Sequence, residues 1–458
     1  MANKNLNLLK TIFPLVALPF IILAIKTVLD IRKGAAGIPA AIIIDTQSPQ
    51  GNIPSSLWQN ISQGGEEPTD MIAPVLYQTK PLRLQLIRID HLFDYYQVYA
   101  GPGNYNFEKL DRIINSILST GAKPMLSVSY TTSSMSKNGQ NAGEPSDWNQ
   151  WYQLVKATAN RYSREKNISG IYYEVWNEPD LFGGWHYAKS PDYSTLYVQT
   201  ARAIVDGAGN SDYKIGGPAT TGFYENWIKS LFKTATENRL RLNFISWHKY
   251  SKNIIDYEKD FNNLNKILSD FPQYFGIERI ITETGPSPEA DAWYDNKLSG
   301  IHLISLCTQM AGKIHRLFPF ELVDGPSPRS PNSTGWGIIT HHTNGSVPKP
   351  RYYALQFLNQ LQGQRLSSTG DGSWVTSLSA KNGSIISTLL VNYDSLNLHP
   401  ETVPVTFRGI SPGNYRLVST IYMGKENSKN ITVPSFNYTE NVYLEPNSAI
   451  ILKLTPLN

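Results

Sequence analysis

Short apolar runs alternate with amphipathic helical patterns through the middle of the chain, from Leu84 to Leu361. The runs that predict strands are residues 84–90, 123–130, 171–176, 213–219, 242–248, 278–284, 315–323 and 335–340. The patterns that predict helices are 106–118, 146–164, 194–207, 225–237, 257–270, 300–310 and 351–361, with Asn106 and Ser146 capping the first two. Strand-then-helix alternation indicates a parallel sheet, and close to eight such units predict an α/β fold, a closed (β/α)8 TIM barrel.

The pattern changes after Gly363, where short β-rich runs alternate with turn signals such as the Gly-Asp-Gly of residues 370–372. The strands predicted there are 375–378, 385–392, 403–407, 415–422, 431–433 and 449–454. Short strands between regular turns indicate a small C-terminal β-sandwich, to which residues 41–44 can add a strand. The predicted division is therefore a linker with that strand (34–47), the barrel (48–364) and the sandwich (365–458).

The N-terminal segment has a different character. Residues 11–25 carry no charge and lie between Lys10 and Lys26. As a helix, residues 8–29 would extend about 33 Å at about 1.5 Å per residue, which is enough to cross a bilayer. Residues 1–33 are therefore predicted to form a membrane anchor with one transmembrane helix. A cleaved signal peptide is the alternative, but Lys26, Arg32 and Lys33 follow the apolar run without an Ala-x-Ala site directly after it.

Composition narrows the classes of function. The chain has 41 basic and 37 acidic residues without a basic cluster, so we expect no nucleic-acid partner. No obligate protein partner is evident. The 10 Trp and 26 Tyr suit sugar stacking, but aromatic residues also fill cores. Cys307 is the single cysteine, which indicates a buried structural thiol. Adjacent His341 and His342 lack a third ligand at metal-binding spacing, and no Gly-rich phosphate motif is present, so we expect neither metal nor cofactor.

Four predicted strand ends carry polar groups that an apolar core would not favour. They are Arg88 with Asp90 and His91, Asn177 with Glu178, His248 with Tyr250, and Glu283. TIM-barrel active sites form at the carboxyl ends of the strands. With 84–90 counted as the second barrel strand, Glu178 and Glu283 end the fourth and seventh strands, which face each other across the mouth. A retaining glycosidase needs two carboxyl groups about 5 Å apart, one as nucleophile and one as acid and then base.

Each of these residues also has a structural interpretation. A lone Glu at a strand end is commonly a surface or ion-pair residue, and a lone His such as His248 is commonly a core residue with its hydrogen bonds satisfied. Glu174, four residues before Glu178, is expected to form a structural ion pair lower in the barrel. The hypothesis of an active site therefore depends on Glu178 and Glu283 occurring together.

Two motifs resemble those of a known clan of (β/α)8 retaining glycosidases. The sequence Tyr-Glu-Val-Trp-Asn-Glu-Pro at 173–179 resembles its acid/base motif, and Ile-Thr-Glu-Thr-Gly at 281–285 resembles its nucleophile strand. Stretches 106–114, 121–129, 244–250, 336–341 and 348–359 more closely resemble glycoside hydrolase family 39, the family of β-xylosidases and α-L-iduronidases. The resemblance covers roughly residues 45–455. One departure is that Asp90 stands where the family pattern Arg-x-His places a histidine, unless the register shifts by one to His91.

The resemblance implies a role for each residue. Glu178 would be the general acid/base, Glu283 the nucleophile, and Asn177 a ligand of the sugar 2-hydroxyl. His248 and Tyr250 would line the sugar site, and Trp336 would be a stacking platform. Arg88 and Tyr250 are candidates for keeping the nucleophile ionised. Arg88, Asp90 and His91 would contact the sugar from the second strand.

The function predicted on this basis is a metal-independent retaining glycoside hydrolase. It would be anchored through residues 8–29 with its catalytic domain outside the cytoplasm, or secreted if the N-terminal segment is cleaved. Its substrate would be an oligo- or polysaccharide, cleaved in the manner of a xylosidase or of an exopolysaccharide glycanase. The alternative is a catalytically inactive carbohydrate-binding or envelope scaffold protein with the same fold.

Overall fold

The structure is a computed structural model that describes residues 37–328 and 334–457, in two β-sheets and the helices around one of them. An eight-stranded parallel sheet forms the barrel. Its strands, in spatial order, are Asn60–Gln63, Leu86–Ile89, Lys123–Val128, Ile171–Val175, Tyr213–Thr220, Phe244–Tyr250, Glu278–Gly285 and Arg316–Pro319. A bridge between Ser62 and Phe320 joins the first strand to the last, so the barrel is closed. The predicted barrel is confirmed.

The helices follow the barrel strands in the predicted alternation. The α-helices of the described residues are Leu76–Thr79, Glu108–Ser119, Trp148–Ala159, Tyr193–Ala208, Glu225–Glu237, Ile255–Asp270, Lys297–Met310 and Pro350–Leu358. Shorter turns are Ser55–Leu57, Ala73–Val75, Lys80–Leu82, Pro272–Tyr274 and His342–Asn344, and a π-helical turn covers Asn160–Glu165. The cap predicted at Ser146 is wrong by one residue, because Asp147 accepts the first backbone N–H groups of that helix.

Large apolar side chains fill the amino-terminal half of the barrel interior. They are Leu86, Met125, Tyr172, Phe244, Ile280 and Phe318, one from each of six strands. Glycine at 216 on the neighbouring strand leaves space for the Phe244 ring, because a Cβ there would overlap the Phe244 Cγ and Cδ2 atoms. Since side chains on one face of a strand recur every second residue, Arg88 and Glu174 form the next layer above Leu86 and Tyr172. The interior therefore changes from apolar to charged toward the mouth.

The second sheet has nine strands in one continuous hydrogen-bonded series. In spatial order they are Glu426–Val433, Gly413–Ile421, Ser448–Pro456, Ile385–Asn392, Val375–Asn382, Gln364–Thr369, Ile42–Asn52, Glu401–Arg408 and Asn437–Leu444. Apolar residues from both ends of this series belong to a single buried cluster, so the sheet folds over on itself. The segment suggested for residues 41–44 lies inside it, antiparallel to Gln364–Thr369 and parallel to Glu401–Arg408.

The strand predicted at 335–340 is wrong, because the eighth barrel strand is Arg316–Pro319, and three observed strands have no counterpart in the sequence patterns. The first barrel strand, Asn60–Gln63, reads Asn-Ile-Ser-Gln, and Gln364–Thr369 and Asn437–Leu444 are also rich in polar residues. Their pairing comes from neighbouring strands rather than from their own alternation.

The predicted transmembrane segment, residues 8–29, lies outside the described residues. Within ranges 37–328 and 334–457, no helix combines the length and the hydropathy needed to cross a bilayer.

Candidate active site

The polar strand ends converge at the carboxyl end of the barrel. Glu178 follows the fourth strand, and Glu283 lies in the seventh, as the sequence predicts. Three side-chain atoms, one each from Glu178, His248 and Glu283, lie within 4.8 Å of one another. Two carboxyl groups on facing strands thus come together around one imidazole.

The backbone beyond the fourth strand turns Glu178 into the mouth. Trp176 and Glu178 adopt left-handed conformations, with φ of 72° and 46°. Such angles are uncommon for residues other than glycine and cluster where function requires strain. The turn is held by the Trp176 indole N–H, which donates to the Phe182 carbonyl at 2.9 Å, and by the Glu178 N–H, which donates to the Ala219 carbonyl at 2.9 Å.

A bulge in the seventh strand turns Glu283 inward. Ile280 pairs with Ser246 and Ile281 with Trp247, but the next pair joins Glu283 to His248. Thr282 is therefore an extra residue, and a bulge of this kind re-aims the side chains that follow it. Strict alternation from the inward-facing Ile280 would place Thr282 in the lumen and Glu283 outside.

Arg88 links the two strands that carry the acids. Its Nη1 donates to Glu283 Oε1 at 3.0 Å, its Nη2 to Asn177 Oδ1 at 2.7 Å, and its Nε to Glu174 Oε2 at 2.6 Å. Arg88 and Glu174 are fully buried. Burial opposes the charge of Arg88, but Glu174 and Glu283 outweigh it and raise its pKa, so the guanidinium stays charged. The ion pair expected for Glu174 is present.

Glu283 and Glu178 have different hydrogen-bond environments. Glu283 accepts from Arg88 on one oxygen and from the Tyr250 hydroxyl at 2.9 Å on the other. Glu178 Oε1 lies 2.9 Å from His248 Nδ1, which is 3.4 Å from Glu283 Oε2. Burial raises the pKa of Tyr250 well above its usual range, so the phenol keeps the proton that it donates. These contacts favour negative charge on Glu283.

Burial raises the pKa of Glu283 to about 7, with Glu178 and Asp90 adding to the rise while His248 and Arg88 oppose it. Burial also opposes the charge of His248, but Glu283 and Glu178 raise its pKa above the ordinary value. The Glu283 carboxyl therefore keeps a proton up to about pH 7 in the absence of substrate, and acid catalysis near neutral pH requires a proton in the site.

The same three atoms are of the types that coordinate metal ions. Both oxygens of Glu283, however, are already engaged by Arg88 and Tyr250. The arrangement is therefore a hydrogen-bonded carboxyl pair rather than an open ligand set.

Asn177 and an aromatic wall line one side of the site. Asn177 Nδ2 donates to the Tyr130 hydroxyl at 2.7 Å, while its oxygen accepts from Arg88. The Tyr130 ring contacts His91 at 4.8 Å and Phe182 at 5.7 Å between ring centroids. Phe182 is 41% exposed, so the wall reaches from the buried amide to the open mouth.

Sequence reasoning missed Tyr130 and Phe182 as members of this site. Tyr130 ends a predicted strand, as the other site residues do, so its position was a usable signal. Phe182 lies in an irregular loop, and its place on the wall follows only from the left-handed turn at Trp176.

The remaining predicted residues also lie at this end of the barrel. Asp90 directly follows the second strand and is buried. His91 is paired with Asp94 through Nδ1 at 2.8 Å and stacks on Tyr95 with ring centroids 4.0 Å apart. Trp336 is half-buried between the loops that follow the seventh and eighth strands, where its indole N–H donates to the Pro288 carbonyl at 3.1 Å. The roles assigned to these residues stay predictions.

A parallel barrel with two facing carboxyl groups less than 5 Å apart has the arrangement of retaining glycoside hydrolases. The model of the family "Glycosyl hydrolases family 39" matches residues 76–408. The chain therefore belongs to glycosyl hydrolase family 39, and the resemblance drawn from the sequence is confirmed.

Two curated relatives and one solved structure illustrate the similarity. A β-xylosidase of Geobacillus stearothermophilus is 26% identical over 346 residues, 67% of this chain and 66% of the relative. A β-xylosidase of Caldicellulosiruptor saccharolyticus is 24% identical over 293 residues, 57% of this chain and 58% of the relative. The chain thus matches about two thirds of the relatives' length or less. The crystal structure of a monomeric β-xylosidase from Caulobacter crescentus CB15 has a TM-score of 0.76 at 19% identity, covering 92% of this chain and 100% of that one, which shows a shared fold.

The raised pKa of Glu283 gives a prediction for its titration. In protein labelled with 13C at glutamate carboxyls, NMR should show one buried carboxyl that titrates near pH 7 and is absent from Glu283→Gln. In Glu178→Gln its pKa should fall, because the negative charge of Glu178 is one cause of the rise. Exposed Glu289 lies on the loop after the same strand, so Glu289→Gln is the control and should change nothing. An ordinary carboxylate pKa for Glu283 in the unsubstituted protein would contradict this electrostatic effect of burial.

Proposed function

We propose that the chain is a retaining glycoside hydrolase that cleaves O-glycosidic bonds by double displacement. The observation that carries the proposal is the asymmetric carboxyl pair within 4.8 Å. Arg88 and Tyr250 donate to Glu283 and suit it to attack, while Glu178, which contacts His248, takes the role of acid and base. A separation near 5 Å suits a direct attack by one carboxylate, since an inverting enzyme needs a wider gap to admit water.

In the first step, Glu283 attacks the anomeric carbon while Glu178 gives its proton to the departing oxygen. The glycosidic C–O bond breaks, and an ester forms between the sugar and Glu283. In the second step, Glu178 takes a proton from water, the water oxygen bonds to the anomeric carbon, and the ester bond to Glu283 breaks. Both substitutions invert the carbon, so the released sugar keeps the original configuration.

The other predicted residues have supporting roles in this mechanism. Asn177, fixed by Arg88 and Tyr130, is oriented to meet the sugar hydroxyl next to the reacting carbon. His248 bridges the two acids and orders Glu178. The aromatic wall offers ring faces for the sugar, and Trp336 extends the mouth on the opposite loops. The relatives named β-xylosidases make aryl β-xylosides the first substrates to test.

Substitution of either acid should affect the two steps differently. On the aryl glycoside that is cleaved fastest, Glu283→Gln and Glu178→Gln should each lower kcat about 10³-fold or more. Glu178→Ala should still form the ester from a dinitrophenyl glycoside, whose leaving group departs without a proton. Azide should then speed turnover and yield a glycosyl azide, because it needs no general base. Glu289→Gln on the neighbouring loop is the control and should keep the full rate.

Near wild-type turnover by either Gln variant would contradict the assignment of Glu283 as nucleophile and Glu178 as acid and base. Tight binding of glycosides without any cleavage by the unsubstituted protein would instead favour the inactive carbohydrate-binding alternative.

We also propose that residues 8–29 anchor the protein and that the barrel works outside the cytoplasm. Support comes from the uncharged run between Lys10 and Lys26 and from the polymeric substrates that such an enzyme would meet there. The chain should stay in the membrane pellet after alkaline carbonate extraction, and external protease should reach the barrel in spheroplasts. Recovery in the culture medium without residues 1–33 would show a cleaved signal peptide instead.

A further inference from the structure

Large apolar side chains are exposed at the end of the β-sandwich where the described residues begin. Ile38, Leu396, Leu398 and Tyr443, which we name the apolar edge, are each between 63% and 70% exposed. A single exposed leucine is ordinary on a protein surface, but a group of large apolar side chains on one edge marks a surface that binds a partner.

Contacts between neighbouring segments hold the four side chains of the apolar edge at one end of the sandwich. The Ile38 N–H donates to the Ser373 hydroxyl, and the Ile38 carbonyl accepts from the Ser373 N–H, both at 2.8 Å. The next residue, Trp374, stacks on His399 with ring centroids 3.6 Å apart. The two leucines precede His399 by three residues and by one, and the tyrosine pairs across the sheet with Thr402.

The loop that carries the two leucines is held in shape by polar groups. The Asp394 carboxylate accepts from the backbone N–H of Leu396 at 2.9 Å and from that of Leu398 at 2.7 Å. The Asn447 amide donates to the Asp394 carbonyl and to the Asn397 side chain, both at 2.8 Å. The leucines are therefore displayed by a preformed turn rather than by a loose segment that could fold them inward.

The same end of the sandwich contacts the mouth of the barrel. Tyr393, directly before Asp394, donates from its hydroxyl to the Lys252 carbonyl. Lys252 lies two residues beyond Tyr250, whose hydroxyl donates to Glu283 at 2.9 Å. A partner bound to the apolar edge therefore lies beside the mouth of the active site.

The chain that precedes the described residues points to the identity of this partner. Residues 30–36 connect them to the uncharged run within residues 8–29, and seven residues span at most about 25 Å even when fully extended. A bilayer crossed by residues 8–29 would thus lie within that reach of the apolar edge. Aliphatic side chains gain free energy by entering the acyl region of a bilayer, and tyrosine is enriched at its interface.

We propose that the apolar edge inserts into the lipid bilayer and holds the mouth of the active site beside the membrane surface, where it meets glycans carried at that surface. The inference rests on the proposed anchor, which brings the bilayer within reach, and it adds a second point of contact that fixes the orientation of the barrel.

Single-cysteine labelling of the full-length chain tests the insertion. Cys307 is fully buried, so the unsubstituted chain should take up no label, and Leu396→Cys supplies an accessible thiol. In phosphatidylcholine vesicles, a bimane label at this position should emit at shorter wavelength, be quenched by lipids brominated in their acyl chains and be shielded from aqueous iodide.

The matched control is Phe436→Cys. Phe436 is 66% exposed and precedes Asn437, which pairs with Arg408 at the far end of strand Glu401–Arg408, roughly 23 Å along the sheet from the apolar edge. Its label should stay open to iodide and escape the brominated lipids.

Three results of the labelling experiment bear against a proposal. Equal iodide access at positions 396 and 436 would overturn the insertion. Shielding of position 396 from iodide without quenching by brominated lipid would also overturn it, because residues 1–36 or a second copy of the chain would then cover the apolar edge. Quenching by brominated lipid in a chain that alkaline carbonate releases from the vesicles would count against the proposed anchor alone.

Replacement of both leucines tests the consequence for activity. Leu396→Ser combined with Leu398→Ser should keep the full rate on a soluble aryl glycoside, because both leucines lie on the surface of the sandwich. The rate on the same glycoside tethered to a vesicle lipid should fall about tenfold, while Phe436→Ser should change neither rate. An unchanged ratio of the two rates would contradict a mouth held beside the membrane. Absence of all cleavage by the unsubstituted chain would count against the proposed glycosidase function, and the labelling result would still decide the insertion.

Discussion

The close approach of two carboxyl groups in a buried mouth is the constraint on which the rest of the site depends. Glu178 and Glu283 offer oxygens within 4.8 Å of each other, and two charges at that distance repel strongly where water is scarce. The protein meets this repulsion through the raised pKa of Glu283 and by placing Arg88 against Glu283. Arg88 itself is stabilised from below by Glu174. The two catalytic carboxyl groups, Arg88 and Glu174 thus form one electrostatic unit.

The backbone that positions these side chains departs from regular strand geometry. Glu178 reaches the mouth only through left-handed turns at residues 176 and 178, and Glu283 only through the extra residue Thr282 in its strand. Apolar side chains fill the lower interior, which confines the charged layer to the end of the barrel near the mouth. The irregular backbone that carries the acids therefore lies directly above a closely packed apolar interior.

The sequence predicted the parts of this structure that follow from local pattern. Strand-then-helix alternation gave the barrel, and the position of polar residues at strand ends identified Arg88, Asn177, His248 and both acids. Local pattern failed where neighbours decide the outcome, as in the polar strand Asn60–Gln63, which exists because it closes the barrel. It also could not show the bulge at Thr282, since the register is visible only in the pairing with Trp247 and His248. Phe182 joins the site through a turn that no periodicity encodes.

Double displacement fixes the configuration of the released sugar, which a purely structural role of these acids would not. When an aryl glycoside is cleaved in an NMR tube, the anomeric proton of the first sugar released should show the configuration of the substrate, before mutarotation mixes the anomers. Initial release of the opposite anomer would mean that water, rather than Glu283, attacks the sugar, and it would contradict the account.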